Sequence, residues 1–500
     1  MTLIELLNII DIKPVEVILK KDFIIKGLTF DSRAVVDDTI FFAIKGYKDD
    51  GNKYISDAIC KNAGAVITDR MSFDENKEFF ESSQMNVIVC ENVRKFMAVS
   101  SNAYYGYPSK KIKLIGVTGT NGKTTITYII KRILETAGNK CGLIGTIDYI
   151  TGANNLDSKL TTPDSIEINQ LLSDMAESGM EYCVMEVSSI ALLLDRVYKQ
   201  DFHAGIFTNL TSEHMDLHGN MEDYFKSKKI LFDILDSNKI AISNLDDEFG
   251  EKILNDCKCR KIFYSLNKEK SYRAEGIDIS IEGISFNVVS DGYSLNIKTR
   301  LTGGFNVYNI LAAVAFAREE GIDDLIIQKA LESIDPINGR FNKIKLPNNS
   351  YAIIDYSHTS DSLKNAISAA RYIRNAAGNN GRVITIFGCG GNKDITKRPL
   401  MGKYASELSD YVIITSDNPR SEDPMEIIRD IMTGIEDVKN VEIEENRELA
   451  IKKGIWMSAP HDIILICGKG HETYQEIKGV KSHFDDKEIV EKYSLFAKTV

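Results

Sequence analysis

Proline is scarce, nine in 500 residues, and the 34 glycines follow no repeat, which excludes collagen-like and Pro-rich disordered character. Cysteine is equally sparse. Eight cysteines in so long a chain make no disulfide framework, and only Cys257 and Cys259 lie close together, without the two-residue gap or second pair of a zinc site. A reducing, cytoplasmic location is expected. No apolar run reaches the ~18 residues of a membrane span, and Met1 to Lys21 carries Glu5 and alternates apolar with polar residues, so neither signal peptide nor membrane insertion is expected. Positive charge is not in excess either. Lys and Arg number 61 against 72 Asp and Glu, a net charge of −11, which argues against nucleic acid or an anionic membrane as the main partner. With 43% hydrophobic and 27% charged residues, what remains is an ordinary globular chain. At roughly 150 residues per domain its length suggests about three domains.

Residues 1–108 read as a small α/β unit. Short apolar runs at Ile40–Ile44, Ala65–Ile67 and Val87–Val89 are bounded by polar turns and separated by helix-like stretches such as Tyr54–Ala63. The Tyr107-Pro108-Ser109 punctuation places the first boundary. From Ile112 the pattern becomes strand, Gly-rich turn, helix, and it recurs at Tyr182–Val187 and Ala204–Thr208, so a parallel, doubly wound sheet is expected over 109–335. Within it a β-rich insert is expected from Lys261 to Thr302, where Ile277–Ile281 and Leu295–Thr299 alternate as half-buried strands do. After Asp335-Pro336 the runs Tyr351–Asp355, Val383–Phe387, Tyr411–Thr415 and Asp462–Ile466 alternate with helices, a second open α/β sheet over 336–500.

The sharpest motif is Gly116-Val-Thr-Gly119-Thr-Asn121-Gly122-Lys123-Thr124-Thr125. Its glycines let consecutive N–H groups face a phosphate, the following helix adds its positive end, Lys123 supplies a mobile cation and the Thr124 hydroxyl can hold Mg²⁺. Val117 stands where a strict P-loop has Gly, so the loop is a variant. Glu186, at the end of an apolar strand, is either a Mg²⁺ ligand or a solvated loop carboxylate or helix N-cap partner. The segment Asn209 to Gly219 gathers His214, His218, Glu213 and Asp216, a density that favours a charged or metal-bearing site. By charge alone Lys226, Lys228 and Lys229 read as a solvated basic face of a helix over Met221 to Leu235. In the last sheet, Gly388 to Arg398, Asp417-Asn418-Pro419-Arg420 and Gly468-Lys469-Gly470-His471-Glu472 each follow a strand directly, so three polar loops at one carboxyl edge should make a second ligand site.

Together these motifs, with Thr-Thr-Pro at 161–163, Glu-Val-Ser-Ser at 186–189, Asn-Leu-Thr at 209–211, Gly-Phe-Asn at 304–306 and Asp-Tyr at 355–356, resemble the Mur ligases over nearly the whole chain. The resemblance implies three domains: a UDP-binding unit, a central P-loop ATPase with a parallel sheet, and a C-terminal Rossmann-like, amino-acid-binding unit. It implies ATP-dependent addition of meso-diaminopimelate to UDP-N-acetylmuramoyl-L-alanyl-D-glutamate through an acyl phosphate, in peptidoglycan precursor synthesis, by a monomer. By matching position, Gly119, Thr120, Asn121, Gly122, Lys123, Thr124, Thr125, Asn306, Arg340, Asp355 and His358 would serve ATP. Ser32 would contact the uridine end, and Thr161, Thr162, Ser188 and Arg196 the muramoyl-peptide. Thr124, Glu186, His214 and Lys228 would be the metal groups, with Lys123, Lys228, Glu186 and His214 the catalytic set. Lys228 matches a lysine that the family carbamylates with CO₂, which turns a basic residue into a carboxylate-like Mg²⁺ ligand and reverses the solvated reading for it.

The incoming amino acid falls to Lys393, Asp417, Asn418, Pro419, Arg420, Gly468 and Glu472. Asp-Asn-Pro-Arg is the pattern associated with meso-diaminopimelate, because a guanidinium pairs bidentately with a second carboxylate that lysine lacks. Lys393 stands where the family usually carries Arg, Ile190 where His is usual, Leu194 where a polar group is common, Glu213 where Asp is usual, and Ser357 and Ser360 where Ala and Pro are usual. The alternatives are a divergent ligase that adds L-lysine or another amino acid, and a non-catalytic nucleotide-binding homologue.

Overall fold

A computed structural model describes residues 1–495 apart from 47–48, 153, 214 and 379–380. It divides into two compact units, Met1–Thr118 with Asn139–Gly205 and Ser227–Ile240, and Gly119–Gly138 with Ile206–Lys226 and Ala241–Val500.

The first unit opens with a five-stranded sheet in the order Glu16–Ile18, Asn86–Cys90, Ala65–Asp69, Thr39–Phe42, Gly27–Thr29, parallel except for the first strand. Its three central strands are buried along their length because both faces are covered. Ile40, Phe42, Ile67 and Ile88 pack with the helices Leu3–Ile9 and Val93–Tyr104, while Phe41, Val66, Val87 and Val89 pack on the opposite face with Ile55, Phe73 and Phe80. A one-residue slip in any strand would exchange these two sets. The helix-like stretch expected at Tyr54–Ala63 is a short 3₁₀ turn followed by the helix Ile55–Cys60.

The same unit holds the parallel run Lys113–Thr118, Tyr182–Glu186, Cys141–Ile144, flanked by antiparallel Asp148–Ile150 and Asn155–Asp157. Register pairs Glu186 with Val117, so the carboxylate stands at the carboxyl edge of this run.

In the second unit the expected β-rich insert is present as the antiparallel strands Tyr272–Ile279, Ile284–Ser290 and Tyr293–Thr299. The helix Lys123–Thr136 packs on the almost wholly buried helix Phe305–Glu319. A six-stranded sheet follows in the order Asn342–Lys345, Tyr351–Asp355, Ile463–Cys467, Val383–Phe387, Tyr411–Ile414, Val441–Ile443, parallel except for the first strand. The chain runs outward from Val383–Phe387 to Val441–Ile443 and returns on the other side as Ile463–Cys467. Strand order therefore reverses between these two, and ligands of open α/β sheets bind outside the carboxyl ends at such a point.

All eight cysteines are reduced. Burial, together with a hydrogen bond shared with Cys257, pushes the Cys259 thiol up to about 12. Among the described residues no helix is long and apolar enough to cross a membrane.

Candidate active site

In the first unit, Glu186 is fully buried at its strand end. Its Oε1 accepts from the Thr146 N–H at 2.8 Å and its Oε2 from the Thr146 hydroxyl at 3.0 Å. Burial with two donors excludes the solvated loop carboxylate. Thr161 lies in the same network, its Oγ1 3.1 Å from Thr146 Oγ1. Thr162 Oγ1 donates to the Glu186 carbonyl at 2.8 Å and accepts from the Ser188 N–H at 3.0 Å, and Arg196 Nη1 donates to the Thr162 carbonyl at 2.8 Å. Ser188 caps the helix Ser189–Leu193 by accepting from the Ala191 N–H. Four residues expected to hold the muramoyl-peptide are thus one hydrogen-bonded group around Glu186. Thr146, which supports that group, was not singled out by the sequence because a lone threonine after a strand carries no signature.

Lys228 is 2% exposed, while Lys226 on the same helix, Met221–Asp233, is exposed and pairs with Glu222 and Asp223. The solvated basic face therefore fails for Lys228, because residues two apart on a helix point to opposite sides of it. Lys229 pairs with Asp233. Ser32 opens a 3₁₀ turn capped by Asp31, its carbonyl accepting from Lys61 Nζ at 3.0 Å. His214 lies outside the described residues. His218 is buried against Tyr224, ring centroids 4.9 Å apart, in the short helix Met215–His218.

In the second unit the phosphate loop is held from both ends. Gly119 has φ +145°, and a Cβ there would stand 1.8 Å from Thr208 Oγ1, so no other residue fits. Thr120 N–H donates to the Asn209 carbonyl and Asn121 N–H to Asn209 Oδ1, both at 2.9 Å. Gly122 precedes the helix Lys123–Thr136, in which Thr124 and Thr125 are buried. The Lys123 ammonium folds back on the Gly119 and Thr120 carbonyls at 2.9 and 2.8 Å. Arg340 lies 4.6 Å from the Tyr356 ring centroid and donates through Nη2 to Thr124 Oγ1 at 2.8 Å, while its buried Nε has no partner. Asn306 is buried and donates to the Thr302 carbonyl.

Asp355 accepts from the Phe341 and Ser357 N–H groups and the Ser357 hydroxyl, and burial outweighs these donors to push its carboxyl up. Ser357, unusual for the resembled family, thus adds a donor to Asp355. His358 Nδ1 lies 2.8 Å from the Tyr356 carbonyl and Nε2 3.4 Å from Glu213. The loop is a cradle shaped for phosphate. Close backbone approach at glycine, a helix N-terminus, one mobile ammonium and a hydroxyl fit ATP with Mg²⁺.

At the reversal point of the six-stranded sheet the three polar loops meet as expected. The Gly391 N–H donates to the Asn418 carbonyl at 2.9 Å, and Arg420 Nη1 donates to the Gly391 carbonyl at 2.8 Å. Asn418 Nδ2 donates to Glu472 Oε2 at 2.7 Å. Gly468 has φ +117°, and a Cβ there would press within 2.6 Å of Asp417 Oδ2. Arg420 itself adopts φ +54°, an uncommon backbone state for a non-glycine, fixed by a bridge to the hairpin strand Tyr474–Ile477 in which its N–H donates to the Glu476 carbonyl. Lys393 is exposed on the first of these loops.

Behind the pocket, Arg447 and Asp486 form a fully buried bidentate pair at 2.8 and 2.7 Å. Arg447 also donates to the carbonyls of Ser416 and Cys467, the residues just before Asp417 and Gly468. Sequence reasoning missed Arg447, since an arginine at the start of a helix with other charged residues looks like any surface cation.

Three family models match the chain: the Mur ligase family catalytic domain at 24–105, the Mur ligase middle domain at 117–317 and the Mur ligase glutamate ligase domain at 339–470. The chain is similar to UDP-N-acetylmuramoyl-L-alanyl-D-glutamate--2,6-diaminopimelate ligase 1 of Clostridium acetobutylicum, 42% identical over 471 residues, 94% of each protein. It is also similar to the 2,6-diaminopimelate ligase of Clostridium tetani, 42% identical over 93% of this chain and 94% of that one. A solved structure of a UDP-N-acetylmuramoyl-L-alanyl-D-glutamate--2,6-diaminopimelate ligase aligns at 31% identity and TM-score 0.64 over 94% of both chains.

Proposed function

This chain belongs to the Mur ligase family, and from that premise we propose that it joins meso-diaminopimelate to UDP-N-acetylmuramoyl-L-alanyl-D-glutamate at the expense of ATP, in peptidoglycan precursor synthesis. The observation that carries the choice of amino acid is that the loops at the sheet's reversal point hold both a guanidinium, Arg420 on the Gly391 carbonyl, and a carboxylate, Glu472 on the Asn418 amide. A diamino dicarboxylic acid is the ligand that uses both charges.

A carboxylate of the substrate's D-glutamate must reach the γ-phosphate of ATP although both are anionic. Lys123, with the N–H groups at the start of the helix Lys123–Thr136, holds and partly neutralises the phosphates; Asn306, Arg340, Asp355 and His358 complete the nucleotide contacts. Mg²⁺, when bound, would supply the remaining neutralisation; the Thr124 hydroxyl, the buried Glu186 carboxylate and Lys228 as its CO₂-derived carbamate would offer it oxygen, and His214 an imidazole nitrogen. A lysine buried at 2% supports the carbamate, since a neutral amine that captures CO₂ becomes an anion able to face a cation. Transfer of the γ-phosphoryl group gives an acyl phosphate and ADP. The substrate amine then attacks the activated carbonyl, and phosphate leaves as the amide forms.

Ser32 holds the uridine end, and Thr161, Thr162, Ser188 and Arg196 the muramoyl-peptide around Glu186. Lys393, Asp417, Asn418, Pro419, Arg420, Gly468 and Glu472 hold the amino acid. The division into 1–108, 109–335 and 336–500 is supported by the three matched segments, each of which falls within one of these spans. The protein works as a monomer in the cytoplasm, where its small-molecule substrates are found.

The test is phosphate release with ATP, Mg²⁺ and the UDP-muramoyl-dipeptide, comparing meso-diaminopimelate with L-lysine. Turnover dependent on diaminopimelate is expected; turnover with lysine alone would assign the site to another amino acid, and none with either would leave a nucleotide-binding protein.

A further inference from the structure

The loop after Ile463–Cys467 carries a lysine that the chemistry above does not use. Lys469 is 0% exposed, and a buried ammonium persists only where it is paired and hydrogen-bonded. Its Nζ donates to Asn418 Oδ1 and to Glu472 Oε2, each at 3.1 Å, and lies 3.9 Å from Asp417 Oδ1. The Tyr474 ring centroid is 5.4 Å away. Asn418 in turn donates through Nδ2 to the same Glu472 Oε2 at 2.7 Å, and its Oδ1 accepts from the Glu476 N–H at 3.0 Å.

Two consequences follow from this arrangement. Both bonds to Glu472 fall on Oε2 and come from groups that are themselves fixed, so the carboxylate is locked in one rotamer with Oε1 taking neither bond. The cluster also holds two carboxylates, Asp417 and Glu472, against one ammonium. It therefore keeps one negative charge in a largely desolvated place, which an incoming ammonium group would neutralise.

We propose that Lys469 is the positioning residue of the amino-acid pocket. By fixing Oε2 of Glu472 and the amide of Asn418, it presents Oε1 to the second ammonium of the substrate and so selects diamino over monoamino dicarboxylic acids. The inference rests on the reading that this pocket receives the incoming amino acid.

The experiment compares kcat/KM for meso-diaminopimelate with that for 2-aminopimelate, which lacks one amino group, at saturating ATP and UDP-muramoyl-dipeptide. The full-length wild type and Lys469→Met, Glu472→Gln and the double variant are used. The wild type should prefer the diamino acid. In Lys469→Met that preference should fall about tenfold, the scale of one hydrogen bond to a charged group, through KM for diaminopimelate and with KM for ATP little changed. In the Glu472→Gln background the same change should shift the preference less than about threefold, because the two residues act as one unit. If Lys469→Met does not fold, Lys469→Gln, which keeps a donor without the charge, is read in the same way. A preference unchanged in the variant, or an equal loss for both amino acids, overturns the proposal and leaves Lys469 a structural residue. A wild type that turns over neither acid overturns the functional reading itself, and this inference with it.

Discussion

The two regions of the second unit proposed to bind ligands are built in opposite ways. The phosphate loop is seven consecutive residues, Gly119 to Thr125, whose shape is dictated locally by a glycine that nothing else can replace and by a helix that starts at Lys123. The proposed amino-acid site is drawn from three loops between residues 388 and 472, and its shape depends on a fully buried pair behind them, Arg447 and Asp486, holding the carbonyls of Ser416 and Cys467. A contiguous site fails through its own residues. An assembled site also fails from behind.

The largest effect that would separate them is expected at Arg447. Replacing it with Met leaves the Asp486 carboxylate buried and unpaired, which should cost about 3–5 kcal/mol in urea unfolding of this unit. Nucleotide binding at the phosphate loop, followed by a fluorescent ATP analogue, should survive under conditions where the variant is folded; loss of both functions together would break the comparison. Next comes Lys123→Ala. Removing a charge that acts on the transferring phosphoryl group should lower kcat by about 10²–10³, with the urea midpoint unmoved, since this ammonium folds onto carbonyls of its own loop.

Arg420→Ala sharpens the contrast at the other site. It should raise KM for meso-diaminopimelate about tenfold or more, the scale of a charge-assisted bond, while KM for ATP stays within about twofold. The smallest effect concerns Asp355, whose carboxyl burial pushes up. A raised carboxyl binds its proton more tightly when folded, so this contribution to stability is fully present below the ordinary carboxylate value and is lost as pH rises through the folded one. Asp355→Asn should flatten that part of the stability profile in mildly acidic buffer; an unchanged slope would show that its three donors already offset burial.

The same contrast explains what could be read before any coordinates. The phosphate loop was legible to the residue because its chemistry is fixed by spacing along the chain. The amino-acid pocket was legible as three loops after three strands, since strand ends of one parallel sheet must share an edge. Its internal wiring was not, because the bonds among Lys469, Asn418 and Glu472 depend on strand order, which reverses between Val383–Phe387 and Ile463–Cys467. Lys228 shows the limit of charge patterning. Beside Lys226 and Lys229 it reads as surface, and only the phase of the helix buries it. Thr146 was invisible for a related reason: its importance lies in bonding both oxygens of a carboxylate forty residues away.

The central claim is that the phosphate loop activates a substrate carboxylate as an acyl phosphate before the amino-acid pocket supplies the amine. The most direct measurement uses UDP-muramoyl-dipeptide with ¹⁸O in the glutamyl carboxylates, turned over with ATP and meso-diaminopimelate, and weighs the released phosphate. The account predicts one ¹⁸O atom in each phosphate, in the wild type and in the slower Arg420→Ala alike. Phosphate free of ¹⁸O would mean that the γ-phosphoryl group is passed to water and never to the substrate, and would contradict it.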